Sequence, residues 1–184
     1  MKLKIKVKEF VRGLYTEAKD ENGNLVPFIN PIGDCIDLRA AADYEFEAPQ
    51  AGILHQKDGV KTRDVKFDTK VISLGLAIQL PKGLVGRIVE RSSGVVKLNI
   101  KKMGGGYIDN CYRGDNDVWK IPVTSMVKQT IHKGDRICQF HIELSQFATP
   151  WQKLRWLFSK PKFIFVDSFN ENNNRGGFGK TGVK

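Results

Sequence analysis

The feature that most constrains this chain is a rhythm of short apolar runs cut by turn-forming residues, from Asp37 to about Ile142. VISLGLAIQL (71–80), LVGRIV (84–89) and ICQFHI (137–142) are examples, and Gly, Pro, Asn and Asp separate them. Many short strands with turn signals between them predict an all-β fold, a β-barrel or sandwich of the jelly-roll-like kind. At 184 residues one core is enough, so residues 1–170 are expected to form a single domain.

The flanking segments carry other signals. Leu3, Ile5 and Val7 alternate with Lys2, Lys4, Lys6 and Lys8, the period-two pattern of a half-buried strand. Its row of lysines suits a strand edge guarded against aggregation. Residues 15–31 are polar, hold two prolines and predict a long loop. Trp151, Leu154, Leu157 and Phe158 instead fall at helical spacing before Pro161, predicting a short amphipathic helix over about 150–159, packed on the barrel. The run is too short to favour a membrane-surface or partner-binding helix. Residues 171–184 are rich in Asn and Gly, and a tail of that kind is expected to be flexible.

Composition narrows the function. No apolar run is long enough to cross a membrane, and the charged, alternating start lacks the apolar stretch of a signal peptide. The chain is expected to be cytoplasmic. Cys35, Cys111 and Cys138 are odd in number and far apart, so buried or half-buried thiols are expected rather than a disulfide framework or zinc site. Neither do His55, His132 and His141 form a metal motif. Thirty Lys and Arg against twenty Asp and Glu give a formal charge of +10. Such a surface attracts nucleotides and nucleic acids alike.

Five segments could carry chemistry. Asp37 stands at a strand start in DCIDLRA (34–40). ERSSG (90–94) follows a strand and offers Arg91, Ser92 and Ser93 to phosphate oxygens, although alone it is an ordinary turn. GGGYIDNCYRG (104–114) joins glycines, which let a backbone approach a ligand, to Asp109, a carboxylate able to act as general base toward water. KGDRICQ (133–139) turns into a strand and presents the Gln139 amide. In the tail, NRGGFGKTG (174–182) supplies Arg175, Lys180 and Thr181 as donors and Phe178 as a stacking surface. The tail is no P-loop: Asn174 stands where the first glycine of that motif belongs, and too few residues follow Thr181 for a helix.

Taken in order, these segments resemble the five motifs of the trimeric deoxyuridine triphosphatase (dUTPase) family, from about Gly33 to Gly182. GYIDNCYRG (106–114) is the most specific piece, similar to the family's G-x-I-D-x-x-Y-R-G. The resemblance implies a homotrimer hydrolysing dUTP to dUMP and pyrophosphate, which keeps uracil out of DNA and supplies dUMP for thymidylate synthesis. It implies that Asp109 activates the water attacking the α-phosphorus. Tyr112 packs under the deoxyribose, and the hairpin holding Gly106, Tyr107 and Ile108 reads uracil through its main chain. Arg91, Ser92, Ser93 and Gln139 hold phosphates. Mg²⁺ comes in on the phosphates, with Asp37 near its water shell and no direct protein ligand. Phe178 stacks on the base while Arg175, Gly179, Lys180 and Thr181 close over the terminal phosphates, making 171–184 a lid. Neither nucleic acid nor membrane is required.

The chain also departs from the family pattern. Asp34, Cys35 and Ile36 replace the usual A-G-aromatic before Asp37, Glu90 replaces a frequent proline, and Cys111 a frequent aspartate. Arg175 and Phe178 stand two residues closer than usual, and Lys180 occupies a usual serine position. Two alternatives remain at this stage: a dCTP deaminase relative, which needs a glutamate-centred site, and a basic nucleic-acid-binding or regulatory protein built on the same barrel.

Overall fold

The structure, a computed structural model, describes residues 2–29, 33–104, 106–170 and 174–176. Strands dominate, with two short helices, as the sequence rhythm predicts. In chain order the first strands are β1 (Lys2–Glu9), β2 (Ile36–Arg39), β3 (Tyr44–Phe46), β4 (Gln50–Lys57), β5 (Val60–Lys66), β6 (Thr69–Ser73), β7 (Leu76–Gln79) and β8 (Leu84–Glu90). Helix α1 (Ser92–Leu98) follows, then β9 (Ile100–Lys102), β10 (Tyr107–Ile108), β11 (Lys120–Ser125), β12 (Gln129–Ile131) and β13 (Arg136–Leu144). Helix α2 (Pro150–Leu157) and β14 (Lys160–Phe165) complete the set.

The central sheet runs β10-β8-β13-β2, flanked by the sheets β14-β1-β7 and β6-β11-β9 and by the pairs β12-β3 and β4-β5. Among the described residues the ladders do not close into a barrel; the fold is jelly-roll-like. Alternation drives it. Leu3, Ile5 and Val7 are buried while the intervening lysines face out, and each fully buried aliphatic side chain contributes about 1.5–3 kcal/mol. The long loop is held by aromatics: Phe28 meets Tyr15, Phe163 and Phe165 edge-on with centroids 5.2–5.6 Å apart.

Several expectations need correction. β1 is an interior strand, parallel to β14 on one side and antiparallel to β7 on the other, so its lysines line a sheet face and guard no edge. The run 71–80 divides into β6 and β7 because Gly75 takes φ +66, where an added Cβ would lie 2.7 Å from Leu14. ERSSG opens α1 instead of forming a plain turn. Cys138 is buried and Cys35 half-buried, but Cys111 is exposed.

Helix α2 exists where its periodicity placed it, but the apolar face is not the one that packs. Thr149 and Gln152 form a capping box, and Pro150 starts the first turn, which fixes the helix start. Gln152 then lies over Gly83, and Trp156 lines a cleft with Leu3, Pro81 and Leu84. Those two residues, four apart, make the inward face. Trp151 stays 80% exposed, with Leu154, Leu157 and Phe158 exposed beside it.

Candidate active site

Two groups of candidate residues form at opposite ends of β8. The first comes from the register of the central sheet, where Gln139 on β13 lies between Asp37 on β2 and Val89 on β8. Asp37 Oδ1 accepts from Arg91 Nε at 2.7 Å, and its Oδ2 accepts from Arg136 Nη1 at 3.2 Å. Arg91 Nη1 also donates to the Arg136 carbonyl at 3.0 Å, and Gln139 Nε2 to the Glu90 carbonyl at 3.2 Å. Ser92 and Ser93 follow in the first turn of α1, exposed and half-buried respectively. Two guanidiniums share one carboxylate here, so the cluster keeps a net positive charge that favours an anion. Beside it opens a cleft lined by Asp37, Arg39 and Arg136 together with Tyr15 and Phe28.

Between the two ends lies the glycine hairpin. Ile88 N–H donates to the Gly106 carbonyl at 2.6 Å, and Tyr107 and Ile108 pair with Arg87 and Gly86. Gly106 has φ +127, and a Cβ there would sit 2.7 Å from the Ile88 carbonyl oxygen. Only glycine lets the hairpin lie this close to β8. Ile108 packs on the core, whereas Tyr107 is exposed, its hydroxyl 3.1 Å from Glu143 and its ring under Arg87. Glu90, Lys102, Gly106 and Tyr107 border the resulting cleft.

The second group follows that hairpin. Ile108 is opposite Gly86, and Asn110 Nδ2 donates to the carbonyls of Leu80, Pro81 and Leu84 at 2.7–3.2 Å. Asp109 is therefore level with residue 85, six residue steps from Arg91, or roughly 20 Å along the strand. Its side chain is 61% exposed, in reach of water. Tyr112 N–H closes the turn onto the Asp109 carbonyl at 2.9 Å. Tyr112 OH donates to the Val118 carbonyl at 2.8 Å, and burial pushes its ionisation upward.

The described part of the tail meets this second group. Arg175 Nη1 donates to Asp109 Oδ2 at 2.8 Å and lies 3.0 Å from Cys111 Sγ. The hydrogen bond to Asp109 holds the Arg175 guanidinium above its ordinary pKa. Arg175 is thus beside the water-side carboxylate, at the end of β8 away from Arg91. Phe178, Gly179, Lys180 and Thr181 lie outside the described residues.

Sequence reasoning missed Asp117. Its carboxylate is fully buried and accepts from the main-chain N–H groups of Gly114, Arg175 and Gly176 at 2.9–3.1 Å. Asp115 likewise accepts from Phe169 N–H and Ser168 Oγ at 2.7 Å; the Phe169 amide first, then the Ser168 hydroxyl, holds it below the ordinary aspartate range. Hydrogen bonds to a charged group are worth about 1.5–3 kcal/mol each, whereas an exposed ion pair such as Arg175–Asp109 contributes about 0–1 kcal/mol. The main chain at 175–176 is therefore held more firmly than the guanidinium it carries. Burial was the signal for Asp117, and nothing in its spacing announces it. Asn110 and Arg136 were missed as well, because their partners, the carbonyls of 80–84 and the Asp37 carboxylate, are distant in sequence.

Comparison with known proteins gives a consistent picture. Residues 37–149 match the dUTPase family. The chain is 36% identical over 157 residues to the SPbeta prophage-derived deoxyuridine 5'-triphosphate nucleotidohydrolase of Bacillus subtilis (strain 168), covering 83% of this chain and 86% of that protein. It is 32% identical over 119 residues to the deoxyuridine 5'-triphosphate nucleotidohydrolase of Hydrogenobaculum sp. (strain Y04AAS1), covering 64% and 74% of the two chains. In fold it is similar to the crystal structure of the Streptococcus mutans dUTPase, with TM-score 0.51 at 19% identity, covering 73% of this chain and 94% of that one.

Proposed function

The chain belongs to the dUTPase family, and on that premise we propose that it hydrolyses dUTP to dUMP and pyrophosphate as a homotrimer with sites shared between subunits. The observation that carries this reading is a bare main-chain hairpin at Gly106 with an exposed carboxylate, Asp109, at its foot. Uracil lies against the hairpin's amides and carbonyls. A tight main-chain fit to the base refuses thymine's methyl and leaves cytosine's reversed donors and acceptors unpaired. Tyr112, fixed by its hydroxyl, presents its ring to the deoxyribose and leaves no space for a 2′-hydroxyl. Asp109 takes the proton of a water as that water attacks the α-phosphorus in line, opposite the leaving pyrophosphate.

The phosphates go to Arg91, Ser92, Ser93 and Gln139. In one chain these lie too far from Asp109 to act on the same phosphorus, which supports a site completed by a neighbouring subunit. Among the described residues no three His, Cys, Asp or Glu side chains converge as a metal cage, and both Asp37 oxygens already accept from arginines. That donor set suits an ion carried by triphosphate oxygens and water, as Mg²⁺ prefers, with Asp37 reaching its shell through water. Bound there, Mg²⁺ neutralises charge on the leaving group. Phe178 stacks on uracil, and Gly179, Lys180 and Thr181 meet the terminal phosphates, joined by Arg175 once nucleotide draws it from Asp109. No described helix is long and apolar enough to span a membrane, and the proposed place of action is the cytoplasm.

The test is pyrophosphate release from dUTP, dCTP, dTTP and UTP with Mg²⁺. Release confined to dUTP, and reduced by about 10²–10⁴-fold in Asp109→Asn, is the expected result. Equal turnover of UTP, or an Asp109→Asn protein as active as the parent, overturns the proposal.

A further inference from the structure

We infer that helix α2 is a membrane-surface element, whose outward stripe of Trp151, Leu154, Leu157 and Phe158, bordered by Lys153 and Arg155, seats on an anionic lipid bilayer. The inference goes beyond the dUTP-hydrolase reading and does not depend on it. It starts from the face of the helix that is already taken. Gln152 lies over Gly83, and Trp156 lines the cleft with Leu3, Pro81 and Leu84, so these two side chains point into the body. At about 100° per residue, Trp151, Leu154, Leu157 and Phe158 fall within an arc of about 120° on the opposite side. That stripe is open: Trp151 is 80% and Leu157 74% exposed, and Phe147, just before the helix, is 84% exposed. Apolar side chains gathered on one exposed face mark an interaction surface.

Charge selects the occupant. From Leu144 to Val166 the chain has no Asp or Glu and carries Lys153, Arg155, Lys160 and Lys162. On the helix, Lys153 borders the stripe on one side and Arg155 on the other, each about 40° beyond the nearest apolar residue. An apolar stripe edged by cations on both sides suits a bilayer with anionic headgroups. The aromatic and leucine side chains enter the acyl boundary, while the Lys and Arg stems lie along it and their charges stay with the phosphates. A second copy docked stripe to stripe would set these cations against their own duplicates with no carboxylate between them. A protein groove is the poorer fit, because such grooves take in a whole helix face. Here α2 is held down by its capping box, Gln152 and Trp156 and offers only a low ridge.

The test mixes the full-length chain with vesicles of phosphatidylcholine alone or with an equal share of phosphatidylglycerol. Cosedimentation with the anionic vesicles is expected, at least about tenfold weaker with the neutral ones. Trp151 should give a blue shift in emission on binding, which Trp151→Phe removes. The double variant Leu154→Ser/Leu157→Ser keeps every charge and is expected to bind the anionic vesicles at least about tenfold more weakly. Lys153→Gln/Arg155→Gln should also weaken binding several-fold and reduce its sensitivity to salt. These side chains lie outside the core and the candidate active site, so melting temperature and dUTP turnover without vesicles should match the parent.

Four outcomes overturn the inference. One is the absence of binding, and another is equal binding to neutral vesicles. A third is a serine variant that binds as tightly as the parent, which would mean adsorption through net charge alone. The last is a smaller assembly mass for the serine variant in solution, which would make the stripe a contact between subunits.

Discussion

At Gly106 one hydrogen atom decides whether the hairpin can lie against β8. A methyl group there would meet the Ile88 carbonyl oxygen at 2.7 Å, with the backbone at φ +127. Gly106→Ala is expected to push the hairpin off β8, losing the 2.6 Å Ile88–Gly106 hydrogen bond and costing about 1–3 kcal/mol of strain. Urea melts would show the loss of stability, and a rise in KM for dUTP larger than the fall in kcat would place it at the base pocket. Asp115 makes a prediction of a different kind. Its native pKa is depressed by the Phe169 amide first, so its contribution is present above the unfolded aspartate value of about 3.9. That contribution is lost as pH falls below that value through the lower native one. The arm should therefore loosen in acid before the core does, seen as a shift of the Phe169 amide resonance preceding loss of the buried tryptophan signal.

Among the elements, α2 shows how little a well-made helix can matter to global stability. Its capping box and N-terminal proline are in place, yet it buries no residue fully. Thr149→Ala should cost the helix about 1 kcal/mol and speed amide exchange within 150–157. The melting temperature should hardly move, because the core that sets it lies elsewhere. A melting temperature falling by about 4 °C or more would mean that α2 is coupled to that core. Sequence periodicity placed this helix and its start but chose the wrong packing face. Gln152 and Trp156 are inward because Gly83 and the Pro81–Leu84 turn leave room for them. A helical wheel records polarity and carries no information about the shape of what lies beneath.

On the scale of the whole molecule, β8 keeps the phosphate-binding candidates and Asp109 apart. If neighbouring subunits complete each site, assemblies mixed from Asp109→Asn and Gln139→Ala chains should recover activity that neither variant has alone. In a head-to-tail ring of equal parts, about one site in four pairs an intact Asp109 with an intact Gln139. No recovery would mean that one chain carries a complete site.

What the sequence determined by itself was local chemistry. Alternation of apolar and polar residues specifies strands, glycines mark where the backbone must bend or come close, and GYIDNCYRG keeps Asp109 and Tyr112 in fixed relation because one turn holds both. Those properties depend on residues near each other along the chain. What only the tertiary structure decided was which segments become neighbours. It made β1 an interior strand, buried Asp117 beneath the arm, put Arg175 on Asp109, and set Arg91 and Asp109 at opposite ends of β8. Such pairings depend on register between distant strands and on the space left when the core closes. No single segment encodes either.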